Sequence, residues 1–353
     1  MINTQTIQNK HLYNQKLQSD LLQGVSRTFA LTIPQLPVDL GNVVSNAYLL
    51  CRAIDTIEDE PSLNFEQKKK YCDWFTDVVD QKSDPRLFSE ALSPLLSDST
   101  IPMEHELIQQ IDKVLEITRG FKKPQQEVLS RCIHIMSEGM TLFQELDNKS
   151  GLNDLKEMDK YCYYVAGVVG ELLTELFCFY LPHELNPKKE KMMKLSVSFG
   201  QSLQMTNILK DIWDDQKRGV CWLPKDVFSY YNFDLAELNS GNNNKDFQKG
   251  LAYLVGVAHT HLNNAFKYTL MIPSDQTGIR NFCLWAIFMS LLTLKKIYKN
   301  IDATNSNDWK ISRKSVKGVI AVTKFSVNKD HLLKAFFNMT RRGLPENPIS
   351  FTK

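Results

Sequence analysis

Apolar residues recur every three to four positions along most of this chain, a helical period. The pattern predicts helices over 38–59, 65–81, 104–118, 124–147, 154–180, 187–216, 246–270, 278–299 and 330–341. Breaks are expected at Ser97–Pro102, Phe121–Pro124, Leu181–Pro187 and Ile272–Gly278, and the run Asn239 to Asn244 reads as a loop. Gly (15) and Pro (13) are sparse for this length, and the chain reads as mostly α-helical. The polar first residues predict a flexible arm over 1–20, followed by one domain over 21–343 and a tail over 344–353.

Two of these helices carry the same acidic pattern. Asp55-Thr56-Ile57-Glu58-Asp59 and Asp211-Ile212-Trp213-Asp214-Asp215 both place carboxylates at i, i+3 and i+4, on one helix face. At about 100° per residue, Tyr48, Arg52, Asp55 and Asp59 fall in a stripe about 60° wide, with Glu58 at its flank. Gln204, Asn207, Asp211 and Asp215 form a similar stripe, with Asp214 at its flank. The other faces of both segments are apolar, so repelling carboxylates at the edge of a core need a compensating charge. Magnesium (or manganese) favours oxygen ligands and commonly combines one or two carboxylates with substrate phosphates. Facing stripes would hold such ions around a diphosphate and stabilise charge on it as a carbon–oxygen bond breaks. Arg52 then contacts the phosphate or orients the acids; the plainer alternative is an i, i+3 ion pair with Asp55.

Composition narrows the field. The chain has 353 residues, 43% hydrophobic and 23% charged, enough for a substantial globular core. A net charge of +2 argues against a general nucleic-acid binder. From Trp309 to Arg342, however, nine Lys/Arg residues accompany one acid, Asp330. That region suits anionic lipid, a phosphorylated cofactor, or simply a solvated helix face. Seven cysteines without a Cys-x-x-Cys fit buried thiols in a reducing compartment, and zinc is not expected. His259 and His261, two apart, do not share a helix face and are not expected to bind metal. The apolar stretch Leu284 to Leu294 is about half of a membrane span. A cytoplasmic protein, at most peripheral to a membrane, is expected.

Other segments are less specific. Ser26 and Arg27 can donate to phosphate oxygens and Phe29 can meet an apolar ligand, yet Ser26-Arg27-Thr28-Phe29 reads equally as a helix cap. The small residues in Asp159 to Gly170 permit close helix packing or room for a bulky hydrocarbon, and packing alone explains the glycines. There is no nucleotide-binding glycine fingerprint.

Together, Ser26-Arg27-Thr28-Phe29, Tyr48 to Asp59, Tyr161 to Gly170, Gln204 to Asp215 and Trp222-Leu223-Pro224 resemble the squalene and phytoene synthase family of head-to-head prenyl transferases. The blocks keep the family's order over about 200 residues. Asp159 to Gly170 and Lys310-Ile311-Ser312-Arg313 look closer to the squalene-forming branch. The resemblance implies an all-α isoprenoid synthase fold, a single helical bundle with a central cavity. By position it implies Asp55, Glu58, Asp59, Asn207, Asp211 and Asp215 as magnesium ligands. It implies Ser26, Arg27, Phe29, Tyr48, Arg52, Gln204, Asn207 and Lys210 as substrate contacts, and Lys310 and Arg313 as NADPH contacts. Tyr161 would join Asp55 and Asp211 in catalysis, as a proton relay or cation-stabilising group. Two departures stand out. Lys210 replaces an Arg common in the family and loses its bidentate fork. Val220 occupies the site of another common Arg, with Arg218 nearby. The membrane anchor of eukaryotic members is not seen, which suggests a bacterial type.

The activity implied is condensation of two farnesyl diphosphates to presqualene diphosphate, then NADPH-dependent reduction to squalene. Phe29, Val165, Val169, Leu173, Phe282 and Leu284 are candidate cavity lining, each also compatible with plain core. The alternatives are phytoene or dehydrosqualene formation without NADPH, and a non-catalytic helical scaffold. A chain-elongating prenyl transferase fits less well, because Asp-Asp-x-x-Asp is not the pattern here.

Overall fold

In the computed structural model, residues 4–26, 28–145, 149–239 and 241–350 are described, with side chains from Tyr13 onward. Seventeen α-helices occur among them. They are α1 (Thr4–Val25), α2 (Phe29–Thr32), α3 (Val38–Asp59), α4 (Phe65–Val79), α5 (Pro85–Leu92), α6 (Pro102–Gln109), α7 (Ile111–Arg119), α8 (Lys123–Gln144), α9 (Leu155–Cys162), α10 (Val168–Tyr180), α11 (Pro182–Leu185), α12 (Lys189–Lys217), α13 (Lys225–Tyr230), α14 (Lys245–Thr269), α15 (Thr277–Lys299), α16 (Arg313–Ser326) and α17 (Asp330–Arg341). Extended pairing among the described residues is limited to one bridge, Leu152 with Pro224. The chain divides into two compact units, Met1–Glu145 with Glu175–Tyr180, and Leu146–Thr174 with Leu181–Lys353.

In the first unit, α3 packs against α1, α4, α6, α7 and α8. Its apolar positions, from Leu40 through Leu49 and Leu50 to Ile57, are buried. Inside that core, Asn46 donates to the Val114 carbonyl at 2.9 Å and accepts from Thr118 Oγ1 at 2.7 Å, fixing α3 on α7. Buried polar groups need such partners. The end of α3 is fixed by Glu60, which is fully buried and accepts from Ser62 N, Ser97 N and Thr100 Oγ1 at 2.7–2.9 Å. Burial alone would raise that carboxyl, but the donors outweigh it and pull it down to about 2. An Asn64–Gln67 capping box then starts α4.

The expected N-terminal arm is helical instead. Its last turns bury Gln18, Leu21, Leu22 and Val25, a three-to-four spacing hidden among polar neighbours. The helix expected over 104–118 is two, α6 and α7, meeting at Gln110.

In the second unit, α12 packs on α14, α15 and the segment joining α9 to α10. That segment, Tyr163–Gly167, is one π-helical turn inside the helix expected over 154–180. Glycines explain the closeness of this packing. A Cβ on Gly170 would lie 2.0 Å from the Ser196 oxygen, and one on Gly200 2.0 Å from the Ala166 oxygen. The small residues therefore bring backbone against backbone, as packing alone had suggested. His261 is buried beside this contact, with Nδ1 3.0 Å from Ser198 Oγ. His259 Nδ1 lies 2.7 Å from the Pro345 carbonyl. The two histidines point to different partners. The last described residues dock on α14 rather than trailing away: Asn347 donates to the Tyr253 carbonyl at 2.9 Å, and its own carbonyl accepts from Thr260 Oγ1 at 2.6 Å.

α9–α10 and α15 are each long and apolar enough to cross a membrane by length and composition. Most of α15 is core here: Phe282 and Leu284, two candidate lining residues, are 3% and 0% exposed. All seven cysteines are free and buried.

Gly200→Ala is expected to destabilise the chain by about 3 kcal/mol, because Ala166 backbone has no room to retreat. Gly318→Ala on α16, where a Cβ meets nothing within 4 Å, is expected to stabilise by up to about 1 kcal/mol. Denaturant unfolding of the two variants checks the contrast.

Candidate functional site

The first acidic stripe is the wet edge of a core helix. Tyr48, Arg52, Asp55 and Glu58 are half-buried and Asp59 is exposed, while the intervening positions are buried. Arg52 Nη1 is 3.9 Å from Asp55 Oδ2, and Nη2 pairs closely with Glu104 on α6. Glu104 is thus a site residue without a motif to announce it; only the approach of α6 to α3 brings it in. Lys68 and Gln144 also converge on this end of α3, both donating to the Glu58 carbonyl, Gln144 at 3.1 Å.

These cations do not satisfy the acids. Burial pushes the Asp55 carboxyl up to about 7; Asp59 and Glu104 add to the rise and Arg52 opposes it. Burial also pushes Glu58 up to about 8, helped by Asp59 and Asp55 and opposed by Lys68. Desolvated carboxylates short of positive charge are the donor type that a hard cation favours. Further along the stripe, Tyr48 packs on Phe29 with ring centroids 5.2 Å apart, and its hydroxyl is 3.4 Å from the Val25 carbonyl. Burial raises its phenol above the ordinary value. Ser26 Oγ accepts from the backbone N of Phe29, the first residue of α2, at 3.0 Å. Arg27 lies outside the described residues.

On α12, Gln204, Lys210, Asp211 and Asp214 are half-buried and Asn207 is exposed. Lys210 Nζ lies 3.1 Å from Asp211 Oδ2 and 3.2 Å from Asn207 Oδ1, bridging two predicted ligands. Asp214 lies 3.7 Å from Lys217. Asp215 departs from the expected stripe: only 9% of its side chain is exposed, and Arg218 pairs closely with it. Arg218, at the C-cap of α12 and still helical in backbone, reaches back to it at i, i+3, before the chain leaves the helix through Gly219 at φ +74°. Arg218 thereby occupies one of the acids, filling part of the charge vacated at Val220.

Tyr161 is 5% exposed and lies flat beneath Trp222, with ring centroids 3.9 Å apart and planes 8° apart. The Leu152–Pro224 bridge holds the Trp222 segment there, with Leu152 N donating to the Leu223 carbonyl at 2.9 Å. Lys310 and Arg313 are exposed at the start of α16. Lys310 Nζ donates to Asn307 Oδ1 at 2.8 Å.

Among the described residues, no three His, Cys, Asp or Glu side chains converge as a ready metal cage. The donors present are carboxylate and amide oxygens, a hard set that suits magnesium or manganese completed by phosphate oxygens. A cavity of about 710 Å³ in the first unit, lined by Gln18, Asp39, Val43, Phe121 and Tyr180, holds none of the predicted residues. Asp39 sits sixteen residues before Asp55 on α3, about 24 Å away along the helix.

The raised carboxyls fix a sign for pH dependence. From the ordinary carboxylate range up to about 7 for Asp55 and about 8 for Glu58, the folded chain keeps protons that the unfolded chain has lost. Their contribution to stability therefore falls as pH rises through that window. Without divalent cations, the melting temperature should drop between about pH 5 and about pH 8. Asp55→Asn with Glu58→Gln should flatten the drop, and magnesium should reverse it in the parent only. Calorimetry across pH, with and without magnesium, tests this.

The family model described as squalene/phytoene synthase matches residues 22–315. A squalene synthase of Cyberlindnera jadinii is 30% identical over 80% of this chain and 61% of its own length. That of Schizosaccharomyces pombe is 26% identical over 93% of this chain and 69% of its own. The chain therefore spans less than two thirds of the Cyberlindnera jadinii protein. Among solved structures, a TcSQS complex with the ligand BPH1237 superposes with a TM-score of 0.72 at 22% identity, covering 94% of this chain and 92% of that one. A dehydrosqualene synthase does so with 0.64 at 19% identity, covering 94% and 99%. The structural likenesses establish a shared all-α architecture, the isoprenoid synthase fold. The family match takes in both acidic helices and the Tyr161 segment, and with it the chain belongs to the squalene/phytoene synthase family.

Proposed function

We propose that this chain is a squalene synthase, a prenyl transferase that joins two farnesyl diphosphates head to head and reduces the product with NADPH. The observation that carries the reading is the half-buried stripe of Arg52, Asp55 and Glu58 on a helix that is otherwise core, in a chain whose family match spans both acidic helices. A helix face that merely met water would mix lysines with its acids instead of gathering carboxylates at the edge of a core. Magnesium, when bound, supplies the positive charge that draws diphosphate away from carbon.

The residues divide the work by their chemistry. Asp55, Glu58 and Asp59 on α3 offer oxygen ligands to a metal–diphosphate, and so do Asn207 and Asp211 on α12, joined by Asp215 when Arg218 releases it. Arg52 and Lys210 already lie against Asp55 and Asp211, so each orients an acid and remains within reach of phosphate oxygens. Ser26, Arg27, Tyr48 and Gln204 bind diphosphate oxygens, and Phe29 meets the prenyl chain. Tyr161 beneath Trp222 offers a hydroxyl and a paired π face, suited to holding a proton or steadying an allylic cation. Lys310 and Arg313 meet the NADPH phosphates. Dry surroundings matter because water would quench the cations.

Incubation with farnesyl diphosphate and magnesium, with and without NADPH, decides the reading. Squalene should form only with NADPH, and presqualene diphosphate should accumulate without it. Dehydrosqualene as the end product would replace the proposal with a carotenoid-type reaction, and use of geranylgeranyl diphosphate alone with a phytoene-type one. Asp55→Asn and Asp211→Asn should each cut turnover by about a hundredfold or more while leaving far-UV circular dichroism unchanged. Arg313→Ala should raise the KM for NADPH about tenfold with little change in the first half-reaction.

A further inference from the structure

Helix α16 has a well-held back and an uncovered front. Its back buries Val319, Thr323 and Ser326, and Trp285 Nε1 on α15 donates to Thr323 Oγ1 at 2.8 Å. The turn after it is clamped by Arg280, itself 2% exposed, which donates to the Val327 carbonyl at 3.0 Å and to Asp330 at 2.6 Å. The front is different. Gly318, Ala321, Val322 and Phe325 lie together on the helical wheel and are all exposed, with Phe325 at 70%. Lys314, Lys317, Lys324 and Lys329 surround this apolar strip and are exposed too. Lys329 Nζ sits 4.6 Å from the centre of the Phe325 ring.

The charge here is uncompensated. From Trp309 to Lys329 there are six Lys/Arg residues and no acid, and the next acid, Asp330, is already engaged by Arg280. A solvated helix face would have no use for a phenylalanine standing in water. A nucleic acid or an acidic protein loop would meet the lysines but leave the apolar strip wet. A bilayer interface satisfies both: apolar side chains enter the acyl boundary while lysines reach the headgroup phosphates on their flexible stems.

We propose that the exposed face of α16 docks on an anionic lipid surface, with Phe325 and Val322 inserted and Lys314, Lys317, Lys324 and Lys329 on the headgroups. The purpose rests on the function proposed above, since a hydrocarbon product has to leave for a lipid phase. The binding itself does not, so it is measured without substrate.

The full chain is sedimented with vesicles of phosphatidylcholine alone or mixed with phosphatidylglycerol. It should pellet with the mixed vesicles only, and added salt should release most of it. Phe325→Ser should weaken partitioning about tenfold, as loss of one inserted aromatic side chain predicts. Lys317→Glu with Lys324→Glu should weaken it by at least as much. Both changes lie on an exposed face, and unchanged circular dichroism confirms the fold. No pelleting, equal pelleting with neutral vesicles, or parent-like binding by either variant would overturn the proposal. Turnover of farnesyl diphosphate in detergent is assayed separately; its absence would sink the proposed reaction and leave the vesicle result standing.

Discussion

Everything distinctive about the first unit follows from keeping carboxylates partly dry. Water is the cheapest partner for an anion, and a helix buried on most of its circumference withholds it. The chain enforces this by rigid means. Asn46 fastens α3 to α7 from inside the core, and Glu60 knits the end of α3 to the 97–100 loop. With the helix so fixed, Asp55 and Glu58 stay at the edge of the core. They answer by holding protons more tightly, which is the state a divalent cation would displace. Arg52 cannot do that alone, because Glu104 claims the same guanidinium.

The second unit solves a different problem, that of bringing helices close enough to set an aromatic pair. Gly170 and Gly200 let α12 ride against the π-turn with backbone oxygens where side chains would otherwise stand. A π-turn also shifts the helical register by one residue, so the face that α9 presents differs from the one that α10 continues. Tyr161 lies on the α9 side of that shift. Trp222 is delivered to it from beyond the end of α12 by a two-bond extended bridge. Those bonds connect parts of the chain some seventy residues apart, which makes the stacked rings a tertiary product.

Charge is distributed with similar economy. Arg280 is buried yet partnered on all three nitrogens, donating to the Ile272 and Val327 carbonyls and to Asp330. By removing Asp330 from the local balance it leaves the lysines of α16 as an unopposed field. The same side chain therefore secures the fold and sharpens the basic character of a surface.

The helical class, the family and the span of α3 were legible in the chain alone. Hydrophobic period is a local property, and α3 runs over the 38–59 that the period predicts. The acid stripes were legible too, because i, i+3 and i+4 fix a common face wherever the helix goes. The helix at Thr4–Val25 was hidden because its buried residues are few and crowd its last turns among polar neighbours, so the period was faint. Glu104, Lys68 and Gln144 carried no signal, for nothing near them in sequence says that α6, α4 and α8 meet the end of α3. Asp215 shows where spacing stops: the wheel places it beside Asp211 and one turn from Arg218, but only the fold buries it beneath that arginine, with 9% of its side chain exposed. Spacing decides which side chains share a face; packing decides which of them keep their water, and therefore their charge.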